Sequence, residues 1–163
     1  MSTPPDDVKE LLNPDRLAPS AAVLGAYIAI DAVLGDDLAR CGHERRTVDL
    51  LLRLATAPGH AMRAVDLAEQ LLLSPSHVSR LIDRVEADGL VERRPDPADR
   101  RANQVVLTDA GWEVMAGVAP HMALTLDRVV HGVLSDEETA TLVELLGRIE
   151  AAARVDRQRR TDR

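Results

Sequence analysis

Two arginines, Arg80 and Arg84, stand four residues apart in the segment SPSHVSRLIDRVEA, which covers residues 74–87. If this segment is helical, their guanidinium groups share one face with Ser76 and His77, one turn earlier. Arginine carries a planar fork of N–H donors that fits phosphate oxygens and the major-groove edge of guanine. The spacing therefore favours direct hydrogen bonding to a nucleic acid.

A second group of charged side chains, Asp99-Arg100-Arg101, lies in a stretch rich in turn-forming residues, 94–103. An arginine at the tip of such a turn can enter a DNA minor groove. Asp99 would repel phosphate, so we expect it to orient Arg101 through a charge-assisted hydrogen bond. The alternative is a surface ion pair that only stiffens the turn.

The elements expected around these groups form a helix-turn-helix followed by a hairpin. Ser74 and Pro75 are typical of a helix start. Gly89 is typical of the residue that ends a helix by adopting the left-handed backbone conformation. The apolar residues between them repeat at helical spacing: Val78, Leu81, Ile82 and Val85. The shorter helix before the turn has its own apolar set: Val65, Leu67, Ala68 and Leu71. Strands at 90–93 and 104–108 then predict a β-hairpin, the wing of a winged helix.

A long apolar helix is expected before this segment. Ser20 is suited to cap a helix that runs to about residue 40 and ends at Gly42. This helix is apolar nearly all round, so burial against a second subunit is its natural environment. A shorter helix at 45–55 follows it.

Two further helices are expected after the hairpin. Thr108 caps a helix to about residue 132 with Pro120 in its interior, which predicts a kink. Ser135 and Glu138 form a capping box for a last helix that ends near residue 154. Residues 155–163 are expected to form a flexible, arginine-rich tail.

The charge balance limits the kind of nucleic-acid binding that is expected. The net charge of −7 argues against a general polyanion binder, which would carry a basic patch or stripe. The segment from Ser76 to Ala110 contains six arginines and seven acidic residues, which gives it a net charge of −1. We therefore expect moderate nonspecific affinity and a strong dependence on site geometry.

The composition also bears on the fold and the compartment. Tyr27 and Trp112 are the only aromatic residues, so leucine, valine, isoleucine and alanine must build the core, which favours helices. No uninterrupted apolar run reaches the roughly 18 residues of a membrane span, and the N-terminus lacks the pattern of a secretory signal. The single cysteine, Cys41, agrees with a reducing cytoplasm.

The ordered series of motifs resembles the MarR family of bacterial transcription regulators. The series consists of Leu67-Ala68-Glu69, residues 74–86 and 89–93, Asp99-Arg100-Arg101, and residues 105–108 with Gly111. The match covers about residues 65–111, and the order of the flanking helices fits over most of residues 20–153. Leu72 departs from the family pattern, because many members place glycine in this turn.

The resemblance implies a mainly α fold with a small β-hairpin wing, a winged helix-turn-helix in a MarR-like homodimer with interlocked terminal helices. It divides the chain into five parts: an N-terminal arm (1–19), a dimerisation helix (20–42), a DNA-binding lobe (43–111), C-terminal dimerisation helices (112–154) and a flexible tail (155–163). A two-fold dimer would present two recognition helices to adjacent major grooves, roughly 34 Å apart.

The resemblance also implies a function. It predicts a cytoplasmic, sequence-specific transcription regulator, most often a repressor, that leaves a palindromic operator in double-stranded DNA when a small aromatic or anionic ligand binds. No enzymatic activity, metal or cofactor is expected. The alternative is an acidic winged-helix dimer that binds other proteins without binding DNA.

The expected DNA contacts fall into two sets. The recognition-helix set consists of Ser74, Ser76, His77, Ser79, Arg80 and Arg84. The wing set consists of Arg93, Arg94, Asp99, Arg100 and Arg101. Within them, His77 and Arg80 are candidate base readers, Ser76 and Ser79 can donate to phosphates or bases, and Arg84 is a candidate phosphate contact. The competing interpretation of each helix arginine is a surface salt bridge, to Asp83, Glu86 or Asp88.

Other sites are weaker. A ligand pocket can be suggested at Tyr27, Asp49, Arg53 and Trp112. The alternative is that each is an ordinary core or surface residue. Cys41 follows a helix end instead of a helix start, which disfavours an oxidant-sensing thiolate. His121 and His131 are ten residues apart and lack the i, i+4 spacing of a zinc pair, and no catalytic motif is present.

Overall fold

A computed structural model describes residues 6–97, 99 and 102–161 of the 163-residue chain. The elements in chain order are α1 (Asp6–Leu11), α2 (Pro14–Arg40), α3 (Arg45–Thr56), β1 (Ala61–Arg63), α4 (Ala64–Gln70), α5 (Pro75–Ala87), β2 (Val91–Pro95), β3 (Asn103–Leu107), α6 (Asp109–Leu126) and α7 (Asp136–Thr161). A 3-10 turn precedes β1, and a π-helical turn follows α6. The chain divides into two compact units between Met122 and Ala123.

The sheet has three antiparallel strands in the order β1-β3-β2. The predicted hairpin of β2 and β3 is confirmed, with Arg93 opposite Val105. The third strand, β1, was not predicted, because three residues are too few to show an alternating pattern. Met62 of β1 lies opposite Val105, and both side chains are buried.

The helix-turn-helix of α4 and α5 has the predicted caps. The Ser74 hydroxyl accepts a hydrogen bond from the His77 backbone N–H at 3.4 Å, and Pro75 opens α5. Gly89 follows the helix with φ of +74°, as a left-handed cap requires. The predicted apolar face is buried in full: Val78, Leu81, Ile82 and Val85.

The turn after α4 has the same geometry as the glycine-ended turns, but it is built on leucine. Leu72 has φ of +54° and is exposed. The N–H of Leu73 donates to the Ala68 carbonyl at 3.0 Å, the bond that also closes the turn at Gly89, where Leu90 donates to Val85. A left-handed leucine is strained by its Cβ, so the absence of glycine here has a conformational cost.

Aliphatic side chains form the core of the lobe, as the composition predicts. Helix α3 contributes five buried residues from twelve, which makes it the centre of that core. Ile82 of α5 and Leu67 of α4 are likewise fully buried.

Helix α2 begins seven residues earlier than predicted, at Pro14, so Ser20 is not its N-cap. The Asn13 side chain accepts a hydrogen bond from the Asp15 N–H at 2.9 Å, and Pro14 takes the first helical position. These two residues give the helix-start signal that was assigned to Ser20, and the helix then continues through Pro19. The end near Gly42, with φ of +80°, is as predicted.

Among the described residues, α2 is long and apolar enough to cross a membrane by length and composition alone. An 18-residue window within its 27 residues has a mean hydropathy of 1.8 and is 6% buried. The sequence has no uninterrupted apolar run of that length, because Asp31 breaks it, but a window that tolerates up to two charged residues does reach it. A mostly buried core helix of a soluble protein and a signal sequence near the N-terminus pass the same test.

The second unit contains the end of α6, the π-helical turn Asp127–His131 and α7. The predicted capping box is confirmed: the Ser135 N–H donates to Glu138 Oε2 at 2.8 Å, and the Glu138 N–H donates to Ser135 Oγ at 3.3 Å. Helix α7 continues to Thr161, so the prediction that it ends near residue 154 was wrong. Ion pairs between residues four apart support the extension, including Arg160 with Asp156 at 2.8 Å.

Candidate nucleic-acid interface

Helix α5 presents a polar face opposite its buried side. The residues exposed on it are Ser76, His77, Ser79, Arg80, Asp83 and Arg84. Every buried residue of α5 belongs to its apolar repeat, so the polar residues between them point to the opposite, exposed side of the helix. The predicted recognition-helix residues therefore occupy one accessible surface.

The N-terminus of α5 carries a small hydrogen-bond network. The Ser74 hydroxyl lies 2.8 Å from His77 Nδ1 and 3.2 Å from the Ser76 hydroxyl. Ser74 is therefore committed to capping the helix and holding the imidazole. With Nδ1 engaged, Nε2 is the ring atom that His77 has for an external partner.

The two arginines of α5 have different partners. Arg80 Nε donates to the Ser76 carbonyl at 3.3 Å, a contact within the helix. Arg84 pairs with Glu44, the residue that precedes α3, at 3.0 Å, although about half of each side chain is exposed. Sequence reasoning considered only nearby acids as partners of Arg84, so Glu44 was missed.

A cleft of about 350 Å³ lies beside the polar face of α5. Its lining residues are Arg46, Leu73, His77, Arg80, Leu81 and Arg84. Three arginines thus line one cleft together with two leucines, a composition suited to an anionic group such as a backbone phosphate. Arg46 was not predicted, since only the packing of α3 against α5 places it here.

Arg93 of β2 faces the recognition helix. Its guanidinium contacts Asp83 Oδ1 at 2.5 Å and Glu86 Oε2, and its backbone N–H donates to Glu86 Oε1 at 3.1 Å. Arg94 pairs with Glu92 on its own strand. These two arginines predicted as wing contacts are therefore engaged inside the lobe, where they pair with three of the seven acidic residues counted above.

The turn of the wing is held at its base. The Asp96 N–H donates to the Ala102 carbonyl at 2.9 Å, and the Ala102 N–H donates to the Asp99 carbonyl at 2.9 Å. Asp96 is buried and pairs with Arg63 of β1 at 2.5 Å. The predicted tip residues Arg100 and Arg101 lie outside the described residues.

The residues suggested for a ligand pocket make two separate sets of contacts. Asp49 pairs with Arg45, which also reaches Asp31 of α2 at 3.0 Å. Partial burial raises the pKa of Asp49, and the charges of Arg45 and Arg46 oppose that rise.

The two aromatic members of that suggested pocket have different surroundings. Trp112 meets the imidazole of His60 edge to face, with 4.8 Å between the ring centroids. Tyr27 is exposed on α2. The expectation that these side chains line one pocket with Asp49 and Arg53 stays a prediction.

Comparison with known proteins gives a consistent result. A family model described as MarR family matches residues 42–102, which span the helix-turn-helix and most of the wing. No curated protein matches the chain.

Solved structures resemble the chain over most of its length. AbsC, a MarR family transcriptional regulator from Streptomyces coelicolor, is 28% identical, with a TM-score of 0.78 over 94% of this chain and 99% of its own. A second regulator of this family from the same organism, solved in complex with DNA, is 28% identical, with a TM-score of 0.74 over 85% and 87%. BpsR from Bordetella bronchiseptica, whose DNA binding is regulated by 6-hydroxynicotinic acid, is 23% identical, with a TM-score of 0.68 over 80% and 91%.

Proposed function

We propose that the chain is a DNA-binding transcription regulator of the MarR type and not an enzyme, and that it acts as a cytoplasmic homodimeric repressor. It binds a palindromic operator in double-stranded DNA and leaves it when a small aromatic or anionic molecule binds. The proposal is supported by the MarR family model over residues 42–102 and by the similarity to two solved MarR family regulators. The exposed polar face of α5 is the observation that carries the proposal.

The recognition helix reads the major groove. Arg80 extends from the centre of the exposed face and can pair with guanine, while His77 offers Nε2 to a base edge. Ser76 and Ser79 donate to neighbouring bases or phosphates. Arg84 and Arg46 hold a backbone phosphate in the cleft beside α5, where that phosphate replaces Glu44 as the partner of Arg84.

The wing follows the minor groove. Arg100 and Arg101 supply the cations, and Asp99 orients Arg101. Arg93 differs from these residues, since Asp83 and Glu86 hold its guanidinium against α5. We assign it to fixing the wing strand, while the remaining arginines contact DNA.

Dimerisation sets the distance between the recognition helices of the two chains. The apolar surface of α2 is too large for the lobe to cover, and α7 exposes its own apolar residues. In a two-fold dimer, these helices pair with those of the second chain. Adjacent major grooves then receive the two α5 helices, roughly 34 Å apart.

Binding of the wild type and of Arg80→Ala and Arg101→Ala to the palindrome nearest its own gene tests the proposal. We expect each variant to lose about 1–3 kcal/mol of binding free energy per half-site, measured by fluorescence anisotropy. Arg40→Ala is the matched control, because Arg40 is an exposed arginine paired with a neighbouring acid, Asp37, at the end of α2. Its affinity should equal that of the wild type.

Salt dependence provides a second measurement on the same proteins. If about six phosphates are neutralised per dimer, the slope of log affinity against log salt should be roughly −5. A slope near zero, or no binding to any duplex selected from a random library, would contradict the proposal and favour the protein-binding alternative.

A further inference from the structure

Arg63 occupies a position where another type of residue is expected. It is the N-cap of α4, a site that favours serine, threonine, aspartate or asparagine because their side chains accept a hydrogen bond from the helix N–H groups. Arg63 makes no such bond. Instead, its Nε donates to Asp96 Oδ2 at 2.5 Å, in the turn that follows β2.

This contact crosses the base of the wing. Arg63 of β1 and Arg94 of β2 both lie opposite Gln104 of the central strand β3. Asp96 comes two residues after Arg94, where the chain leaves the sheet for the tip of the wing. The Arg63 side chain therefore spans from one edge of the sheet to the departing strand on the other.

Asp96 is the buried anchor of that turn. It is 2% exposed, whereas Arg63 is partly open to solvent, with 39% of its side chain exposed. A buried carboxylate is strongly destabilising unless it is paired and hydrogen-bonded. The hydrogen bond and the charge of Asp96 raise the pKa of the Arg63 guanidinium, as expected for such a pair.

The backbone groups of Asp96 extend the anchor into the tip. Its N–H donates to the Ala102 carbonyl at 2.9 Å, and its carbonyl accepts from the Asp99 N–H at 3.2 Å. Asp99 and Ala102 are thus both hydrogen-bonded to Asp96, whose side chain pairs with Arg63.

We propose that Arg63 and Asp96 are positioning residues that fix the conformation of the base of the wing, so that β1, the strand that leads into the helix-turn-helix, holds the turn that follows β2. A wing that is ordered before binding loses less conformational entropy when it enters the groove. The effect on DNA rests on the proposed function, whereas the effect on wing conformation does not.

Hydrogen exchange in the protein without DNA tests the conformational effect. In Arg63→Met we expect the amides of Asp96, Asp99 and Ala102 to exchange at least about tenfold faster, while the amides of α5 keep their wild-type rates. Arg40→Met is the matched control and should change none of them. Unchanged exchange at these three amides in Arg63→Met would overturn the inference, whether or not the protein binds DNA.

Binding to the operator duplex tests the effect on DNA through a double-mutant cycle. We expect Arg63→Met to weaken binding about tenfold in the wild type and to have almost no further effect in Arg101→Ala, since both changes disable the wing. Equal losses in the two backgrounds would show that Arg63 does not act through the wing. If the wild type binds no DNA, the proposed function fails and the exchange result still decides the conformational claim.

A double variant addresses the unpaired carboxylate that Arg63→Met leaves behind. Arg63→Met with Asp96→Asn removes both charges, so we expect it to recover thermal stability relative to the single variant. The turn amides should still exchange faster than in the wild type, because the amide–thioether pair cannot replace the ionic contact. Wild-type protection in this folded variant would also overturn the inference.

Discussion

The winged-helix lobe and the long terminal helices use their apolar residues in opposite ways. Helix α3 buries five of its twelve residues, whereas α2 buries only Leu34 and Leu38 of its twenty-seven. Helix α7 exposes an apolar row that includes Leu145, Leu146 and Ile149. The lobe therefore completes its own core within one chain, and the terminal helices have apolar surface left to bury.

This difference separates two kinds of stability. Residues of the lobe core contribute to the folding of a single chain, whose stability does not depend on concentration. The exposed apolar residues of α2 and α7 contribute only when a partner surface covers them, so their effect depends on protein concentration. The substitutions below distinguish these two contributions, beginning with the largest expected effect.

The core of the lobe should respond most strongly to a cavity. Ile82 is fully buried in α5, so Ile82→Ala should lower the free energy of unfolding by about 2–5 kcal/mol in urea denaturation. Val65→Ala removes an exposed apolar side chain from α4 and should change it by less than about 0.5 kcal/mol. Equal effects of the two substitutions would show that the lobe is not packed as described.

The exposed face of α2 should respond through association. Ile28→Asp places a carboxylate on that face, and we expect the dimer dissociation constant to rise about 100-fold, measured by analytical ultracentrifugation. Val65→Asp makes the same change at a similarly exposed residue of α4 and should leave association intact. A wild type that stays monomeric at high concentration would remove the basis of the comparison.

The strained turn of the lobe predicts a smaller effect of opposite sign. Leu72→Gly should be more stable than Leu72→Ala by about 1 kcal/mol, because glycine adopts a positive φ without a Cβ penalty. Both variants lack the leucine side chain, so the difference between their melting temperatures reports the conformational cost of a Cβ at this positive φ. A more stable Leu72→Ala would mean that the turn is not left-handed in solution.

The start of α7 predicts the smallest effect, which depends on pH. Hydrogen bonds from Ser135 lower the pKa of Glu138 from its ordinary value of 4.5. The ionised cap therefore supports the helix start above pH 4.5, and its contribution disappears as the pH falls through the lowered pKa. The Ser135 amide shift should titrate below pH 4.5 in the wild type and not in Glu138→Gln.

Local signals in the sequence predicted much of the lobe. Ser74, Pro75 and Gly89 determine the ends of α5 through caps that involve only neighbouring residues, and the Ser135 and Glu138 capping box is equally local. The buried side of α5 follows from its apolar repeat. For the same reason, the exposed face of the recognition helix could be predicted together with its arginines.

Contacts between distant segments could not be predicted in this way. Arg93 finds Glu86 and Asp83 only because β2 packs against α5, and Arg84 finds Glu44 through the position of α3. The charge count over residues 76–110 included Asp83 and Glu86 without their partner, yet both pair with Arg93 in the fold. The early start of α2 was missed because two adequate caps, Asn13 and Ser20, compete within one segment.

If Arg84 contacts a phosphate as we propose, its ion pair with Glu44 makes DNA binding an exchange of anions. A phosphate that takes Arg84 releases Glu44, and the freed carboxylate then attracts a cation from solution. Each such uptake offsets part of the counterion release that drives association, so the salt dependence is shallower than the number of phosphate contacts suggests. Under that proposal Glu44 competes with the DNA backbone for Arg84, and the competition weakens as salt screens this half-exposed ion pair.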